Sequence, residues 1–225
     1  TASNASVNIL TGTGNTFVDA VGVDSTVNVN VDKMVSGIRL YAFGEGDYAV
    51  TNVAGGVVID ADGDSDSSQS ALAGTLTVNT DDGADGVSVR TGVATTSVTG
   101  DGGSVTVTAN ALAQDTDAVL SGSSDYTVTG LVGDVDASGS SGTVTITTNN
   151  AADNGILFVT GSGSATVTAG FTGDLVTVNA AELADDTTPN DQDPPTTSVL
   201  TLNGDSAFTV NTLKGDLVVN SGVGA

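Results

Sequence analysis

The chain repeats one phrase at intervals of about 80 residues, and this feature limits its possible folds more than any other. DYAVT occupies residues 47–51, DYTVT occupies 125–129, and AFTVN occupies 207–211. The segments between these copies also recur, and a shorter phrase, TVT or TVN followed by Gly-Asp, starts near 126, 165 and 208. A period of this size indicates a supersecondary unit that buries its apolar face by stacking on copies of itself.

The repeated segments have the alternation of β-strands. Runs such as TLTVNT, SVTVTA, TVTITT and LVTVNA place an apolar residue at every second position, and Gly, Asp, Asn and Ser bound them. This pattern predicts an all-β chain of short strands. Two segments, 109–115 and 179–185, have the composition of either a single helical turn or a corner between strands.

Two architectures fit such a repeat. A right-handed parallel β-solenoid with turns of roughly 20–25 residues would place three or four turns in each unit. Tandem Ig-like β-sandwiches would also repeat every 80 to 100 residues, roughly. The shorter phrase that recurs inside the unit favours the solenoid, because the strands of a sandwich need not resemble one another at a fixed spacing.

The sequence therefore predicts one continuous repeat domain over residues 1–225. Two polar insertions interrupt it, and the second contains all three prolines, which is typical of an exposed loop. The predicted units are 1–36 (partial), 37–117, 118–197 and 198–225 (partial), with the insertions at 62–71 and 186–197.

The charge balance restricts the partners. The chain has 27 acidic residues against four Lys and Arg, a formal net charge of −23. Such a charge repels nucleic acids and anionic membranes, so neither is an expected partner. Zinc sites of the usual type, thiol nucleophiles and Ser-His-Asp triads are excluded because the chain has no Cys and no His. No apolar run reaches the roughly 20 residues that span a bilayer, and membrane insertion is not expected.

The clustered carboxylates indicate Ca²⁺ as a candidate bound metal, because this hard cation prefers oxygen ligands. Four aspartates alternate over residues 60–66 around a glycine, as in DxDxDG calcium loops, and a second acidic turn follows at 80–86. Corner formation by Asx side chains is the alternative for the second turn. The candidate ligands are Asp60, Asp62, Asp64, Asp66, Asp81, Asp82 and Asp85.

Two long phrases resemble repeats of large bacterial surface proteins. SGSSDYTVTGLVGDVDASG and GTVTITTNNAADNGILFVTGSGSATVT are similar to repeat regions of RTX-type adhesins and S-layer-like proteins. The resemblance implies a secreted or cell-surface location, calcium-dependent folding or assembly, and a scaffolding or adhesive role.

These observations predict a non-enzymatic structural module of a bacterial surface assembly: an adhesin stalk, a surface layer or a filament subunit. Its expected partners are copies of itself or neighbouring repeats, joined end to end, with surface glycans as a further class. The alternative is a carbohydrate-binding or polysaccharide-modifying β-helix, which needs convergent aromatic and polar groups. Tyr48, Tyr126 and Phe208 recur at one repeat position, and we expect them in the core or along its rim.

Overall fold

A computed structural model describes residues 6–23, 25–63, 69–149, 155–170, 175–184 and 197–220. These residues form 20 strands and no helix. The strands make two ten-stranded sheets, one of odd-numbered and one of even-numbered strands, so each turn of the chain adds one strand to each sheet. Every pairing is parallel, for example β10 with β12 and β11 with β13. The predicted all-β solenoid is confirmed, and the tandem sandwich is wrong because its sheets would be antiparallel.

We call the two layers the odd sheet and the even sheet. The odd sheet contains β1 (Val7–Leu10), β3 (Val27–Asn30), β5 (Tyr48–Val53), β7 (Leu76–Thr80), β9 (Thr96–Gly100), β11 (Asp117–Gly122), β13 (Asp134–Ser140), β15 (Ile156–Val159), β17 (Leu175–Asn179) and β19 (Ala207–Asn211). The even sheet contains β2 (Thr16–Ala20), β4 (Arg39–Gly44), β6 (Val58–Asp60), β8 (Val87–Arg90), β10 (Ser104–Thr108), β12 (Asp125–Leu131), β14 (Val144–Thr148), β16 (Ala165–Thr168), β18 (Val199–Asn203) and β20 (Asp216–Asn220).

The core lies between the sheets and follows from the alternation in the sequence. Side chains on a strand point to opposite faces in turn, and in β8 the buried residues are Val87 and Val89. The parallel register places Val105 and Val107 of the next turn directly over them. The same stacking along both sheets buries one continuous column of Val, Leu, Ile and Ala, which holds the turns together.

The 80-residue repeat corresponds to seven strands, which is three and a half turns. Tyr48 begins β5, Tyr126 lies in β12 and Phe208 lies in β19, so each copy is seven strands after the last. Since seven is odd, successive copies lie in opposite sheets. The repeat is therefore a half-turn screw operation, and the two sheets are built from the same sequence pattern.

A glycine with positive φ marks the repeated corner. Gly44, Gly122 and Gly204 each precede the recurring aromatic residue by four positions, with φ values of 102°, 91° and 114°. A Cβ atom on Gly44 would lie 2.6 Å from the carbonyl carbon of Ala20 in the preceding turn. Glycine is needed here because L side chains avoid this φ and because the backbones of adjacent turns meet.

The hydroxyl groups of the two recurring tyrosines form hydrogen bonds with backbone carbonyl oxygens near the same corner, from the core side. The Tyr48 hydroxyl donates to the carbonyl oxygens of Phe43 at 2.8 Å and Val18 at 3.0 Å. The Tyr126 hydroxyl donates to those of Ser121 at 2.6 Å and Val98 at 3.3 Å. Both rings are buried in the core, so the prediction that they are core residues is confirmed.

The segments with helical composition are corners. Residues 109–115 form a bend and turn between β10 and β11, and 180–184 form a turn after β17. The first insertion lies between β6 and β7, and the second lies between β17 and β18. Their central parts, 64–68 and 185–196, are outside the described residues.

Candidate functional site

Asp60 and Asp62, two of the predicted calcium ligands, face arginine side chains. Asp60 ends β6, and its side chain is only 1% exposed. Its Oδ2 atom lies 2.7 Å from the Nη1 atom of Arg39, which begins β4 in the preceding turn. The Oδ2 atom of Asp62 lies 3.3 Å from Nη1 of Arg90 in the following turn. The solenoid thus brings together two carboxylates and two of the chain's four cationic residues on the outer face of the even sheet.

The surroundings of Asp60 raise the pKa of its carboxyl group. Burial raises the pKa of Asp60 to about 6, and the neighbouring Asp62 carboxylate contributes to the rise, while Arg39 and Arg90 oppose it. Desolvation disfavours the charged form of a carboxyl group, and a second carboxylate adds repulsion. Asp60 is therefore a carboxyl group that titrates close to neutral pH at a structural ion pair.

Calcium at this position would have to compete with the arginines. A guanidinium group that already bonds a carboxylate occupies the oxygen that a cation would use. Asp64 and Asp66, the other two predicted ligands of this loop, lie outside the described residues. Within the part of the chain that the structure describes, no group of three or more acidic side chains is arranged to hold a metal ion.

Asp81, Asp82 and Asp85 lie together on the turn between β7 and β8. The turn borders a shallow open groove lined also by Ser36 and Ala54 to Gly56 of the turn below. The Asp85 carboxylate accepts a hydrogen bond from the Ser104 hydroxyl in the next turn, and this bond holds the pKa of Asp85 below its usual range. At Asp85 the side chain therefore links adjacent turns of the solenoid.

Other aspartates form the same kind of link between turns. Asp47 Oδ1 accepts a hydrogen bond from the backbone N–H of Thr75 at 2.8 Å, and Asp125 Oδ1 accepts one from Thr143 at 2.7 Å. Asp134, in the repeated Gly-Asp step, accepts one from Leu157 at 2.8 Å. Each of these carboxylates accepts a hydrogen bond from an N–H just before or within the first residues of a strand in the following turn, which gives these acidic positions a structural role.

An exposed aromatic pair lies beside the arginine–aspartate cluster. The rings of Phe17 in β2 and Tyr41 in β4 stack with centroids 4.2 Å apart and planes 4° from parallel. Phe17 is 67% exposed. The Arg39 guanidinium carbon lies 5.4 Å from the centre of the Tyr41 ring, within the range of a cation–π contact. We call Phe17, Arg39, Tyr41, Asp60 and Arg90 the aromatic–arginine patch.

Sequence reasoning did not find this patch as a unit. Its members are distant in the chain, and only the register of the even sheet places Tyr41 beside Asp60 and Asp60 beside Arg90. The available signal was the scarcity of cations: with four in 225 residues, an arginine on a strand is an exception that calls for a partner.

Comparison with known proteins gives no relative from which a function could be carried over. No family model, no curated protein and no solved structure matches the chain. In the described ranges, no helix has the length and apolar character needed to cross a membrane.

Proposed function

We propose that this chain is a non-enzymatic structural rod from a bacterial surface assembly, secreted or held at the cell surface, whose end turns dock on neighbouring turns. The observation that carries the proposal is the last described turn. Leu217 and Val219 of β20 point to the core side but remain 41% and 53% exposed, whereas their register partners Leu200 and Leu202 are buried. One more turn stacked on β20 would bury them and would pair the open strand edge.

The rod itself follows from the stacking. Each turn is joined to the next by two parallel strand pairings and by the apolar column, so the turns form one stiff unit. The docking turn comes from neighbouring repeats of the same protein or from another copy of the chain. The surface location rests on the similarity of the repeat phrases to those of bacterial adhesins and surface layers.

Sedimentation velocity over a range of concentrations tests self-association. We expect end-to-end oligomers whose size grows with concentration and which dissociate in the double variant Leu217→Asp and Val219→Asp. Val218→Asp is the matched control, because Val218 lies on the same strand but faces outward. A chain that stays monomeric at all concentrations would rule out docking between identical copies.

Calcium binding is a second part of the proposal, assigned to the loop after Asp60 and to the turn of Asp81, Asp82 and Asp85. Calorimetry with Ca²⁺ and then with a chelator tests it. A rise in the melting temperature with Ca²⁺ that is lost in the variant Asp81→Asn and Asp82→Asn would place the ion at the turn. An unchanged melting temperature would overturn the assignment.

Carbohydrate binding is the second candidate function, and the aromatic–arginine patch favours it. A flat sugar face can pack on exposed rings, while Arg39 supplies donors for hydroxyl groups. Screening on a glycan array with Phe17→Ala as the variant tests this role. Binding that persists unchanged in the variant, or no binding at all, would exclude the patch as a glycan site.

A further inference from the structure

Nine threonines form an ordered array on the outer face of the even sheet. The strands β10, β12, β14 and β16 contribute two each, and β18 contributes one followed by Asn203. The register pairs Thr106 with Thr127, Thr127 with Thr145, Thr145 with Thr166, and Thr166 with Thr201. This gives one unbroken rank across five strands and a second rank two residues further along each strand. The threonine array is Thr106, Thr108, Thr127, Thr129, Thr145, Thr147, Thr166, Thr168 and Thr201.

The array presents hydroxyl and methyl groups to solvent. Its members are exposed or half-exposed, while the residues between them, such as Val107 and Val128, are buried. Within the described part of the chain, the single side-chain hydrogen bond of the array is the one that Thr168 accepts from Asn203. The other hydroxyls are therefore available to water or to a ligand.

The array is also free of charge, in a chain with a formal net charge of −23. The acid nearest to it along these strands is Asp125 at the start of β12, which bonds the backbone of Thr143. On the odd sheet of the same turns, the outer face carries Asp117, Asp134 and Asp136. Composition alone does not explain an uncharged face, because the opposite face of the same turns is acidic.

The spacing of the array is fixed by the backbone. Neighbouring strands lie about 4.8 Å apart, and residues two apart on one strand lie roughly 6.6 Å apart. The distance between neighbouring strands is close to one of the repeats between water oxygens on the surface of ice. Threonine is stiff at χ1, so its hydroxyl and methyl groups are held in place before any ligand arrives. A preorganised face loses little entropy when it orders a layer of water.

We propose that the threonine array binds the surface of ice crystals. The hydroxyl groups take the places of lattice water molecules, and the methyl groups fit between the rows. The array itself contains no aromatic ring to stack on a sugar. The cation at its edge, Arg90 beside Thr108, is paired with Asp62, which favours a lattice of water over an anionic ligand. This inference is independent of the rod proposal, because it concerns a lateral face and not the end turns.

The first rank carries the binding. A β-bulge shifts the register between β12 and β14 after Val128, at a positive-φ glycine, Gly130, so the second rank is stepped between Thr129 and Thr147. The first rank crosses the same strands without a break. Substitutions in the first rank are therefore expected to reduce binding more than substitutions in the second.

Ice-recrystallisation inhibition and thermal hysteresis of the purified chain test the proposal. We expect the parent chain to inhibit recrystallisation and to facet growing ice crystals. Thr145→Tyr, at the centre of the first rank, should lose most of this activity, because the larger side chain holds the face away from the lattice. Thr77→Tyr, at an outward position of the odd sheet, is the matched control and should keep it.

Circular dichroism and melting curves check that both variants remain folded. A parent chain with no effect on ice would overturn the proposal, and so would equal losses in the two variants. Binding to crystalline chitin or cellulose without ice activity would likewise overturn it and would assign the face to a polysaccharide surface instead.

Discussion

The odd and even sheets share one core between β9 and β18 but differ on their outer faces. Outward positions of the even sheet hold the threonine array, whereas those of the odd sheet hold Asp117, Asp136, Leu157 and Leu175. The repeat passes from one sheet to the other after seven strands, so the inner residues recur in both. The threonines of the array lie outside the apolar column that holds the turns together, and a regular pattern found on one face alone points to selection for something outside the fold.

The inner and outer faces of the two sheets can be tested separately. The sheets are equivalent on the inside, which predicts equal effects for paired substitutions at repeat-related positions. Their outer faces differ, and substitutions there are expected to have small effects on stability.

The largest effect is expected at the glycine corners. Gly44→Ala in the even sheet and Gly122→Ala in the odd sheet should each cost about 3–5 kcal/mol, because the added Cβ meets the backbone of the preceding turn at a positive φ. Urea unfolding monitored by circular dichroism measures the cost. Gly12→Ala is the control, because nothing lies within 4 Å of the place that its Cβ atom would take. Clearly unequal costs would break the equivalence of the two sheets.

The next largest effect is expected at the buried tyrosines. Tyr48→Phe and Tyr126→Phe should each cost about 1–3 kcal/mol, because the hydroxyl group that bonds the corner carbonyl oxygens is lost while the ring packing is kept. The free energy of unfolding from urea titration measures this. Tyr41→Phe, at the exposed pair, should change it little. A loss at Tyr126 with none at Tyr48 would show that the corners differ despite their matching bonds.

Alkaline pH tests the same two tyrosines without any substitution, because it ionises their hydroxyl groups. Burial raises the pKa of both Tyr48 and Tyr126 from 10.0 to about 12. A raised pKa means that the neutral phenol is favoured in the folded state, so this stability is complete below pH 10 and is lost as the pH rises towards 12. The loss should reach about 1 kcal/mol per tyrosine near pH 11. Urea midpoints measured from pH 8 to 11 should fall, and should fall less in the double variant Tyr48→Phe and Tyr126→Phe.

The sequence contained enough to predict the solenoid but not the number of strands in its repeat. Alternating phrases such as TVTITT identify strands, and their recurrence identifies stacking. A spacing of about 80 residues fits three or four turns equally well, and only the pairing of strands shows three and a half. The shorter phrase inside the unit does not recur after a constant number of strands, since its copies at 126, 165 and 208 lie in β12, β16 and β19.

The sites were harder to predict because register decides which outward residues meet. Asp60 and Asp62 are close in sequence and are predicted together as ligands, but their partners Arg39 and Arg90 come from the turns on either side. The threonines of the array look in sequence like ordinary strand residues. Their alignment across five strands depends on turn lengths, and the short motif TVT alone does not contain that information.

The smallest effect on stability is expected when a residue type typical of one outer face is placed on the other. Burial and the neighbouring Asp134 and Asp136 raise the pKa of Asp117, so its charge is mildly unfavourable at neutral pH. Asp117→Thr should stabilise the chain by about 0.5 kcal/mol or less at pH 7, and the gain should disappear as the pH falls below the usual aspartate range, where the parent is neutral as well. Thr106→Asp on the even sheet is the reverse exchange, and it should change stability by a similarly small amount while reducing any activity on ice. Urea unfolding at pH 7 and pH 3 measures the stability of both variants, and a cost of several kcal/mol from either exchange would show that the outer faces contribute to the fold.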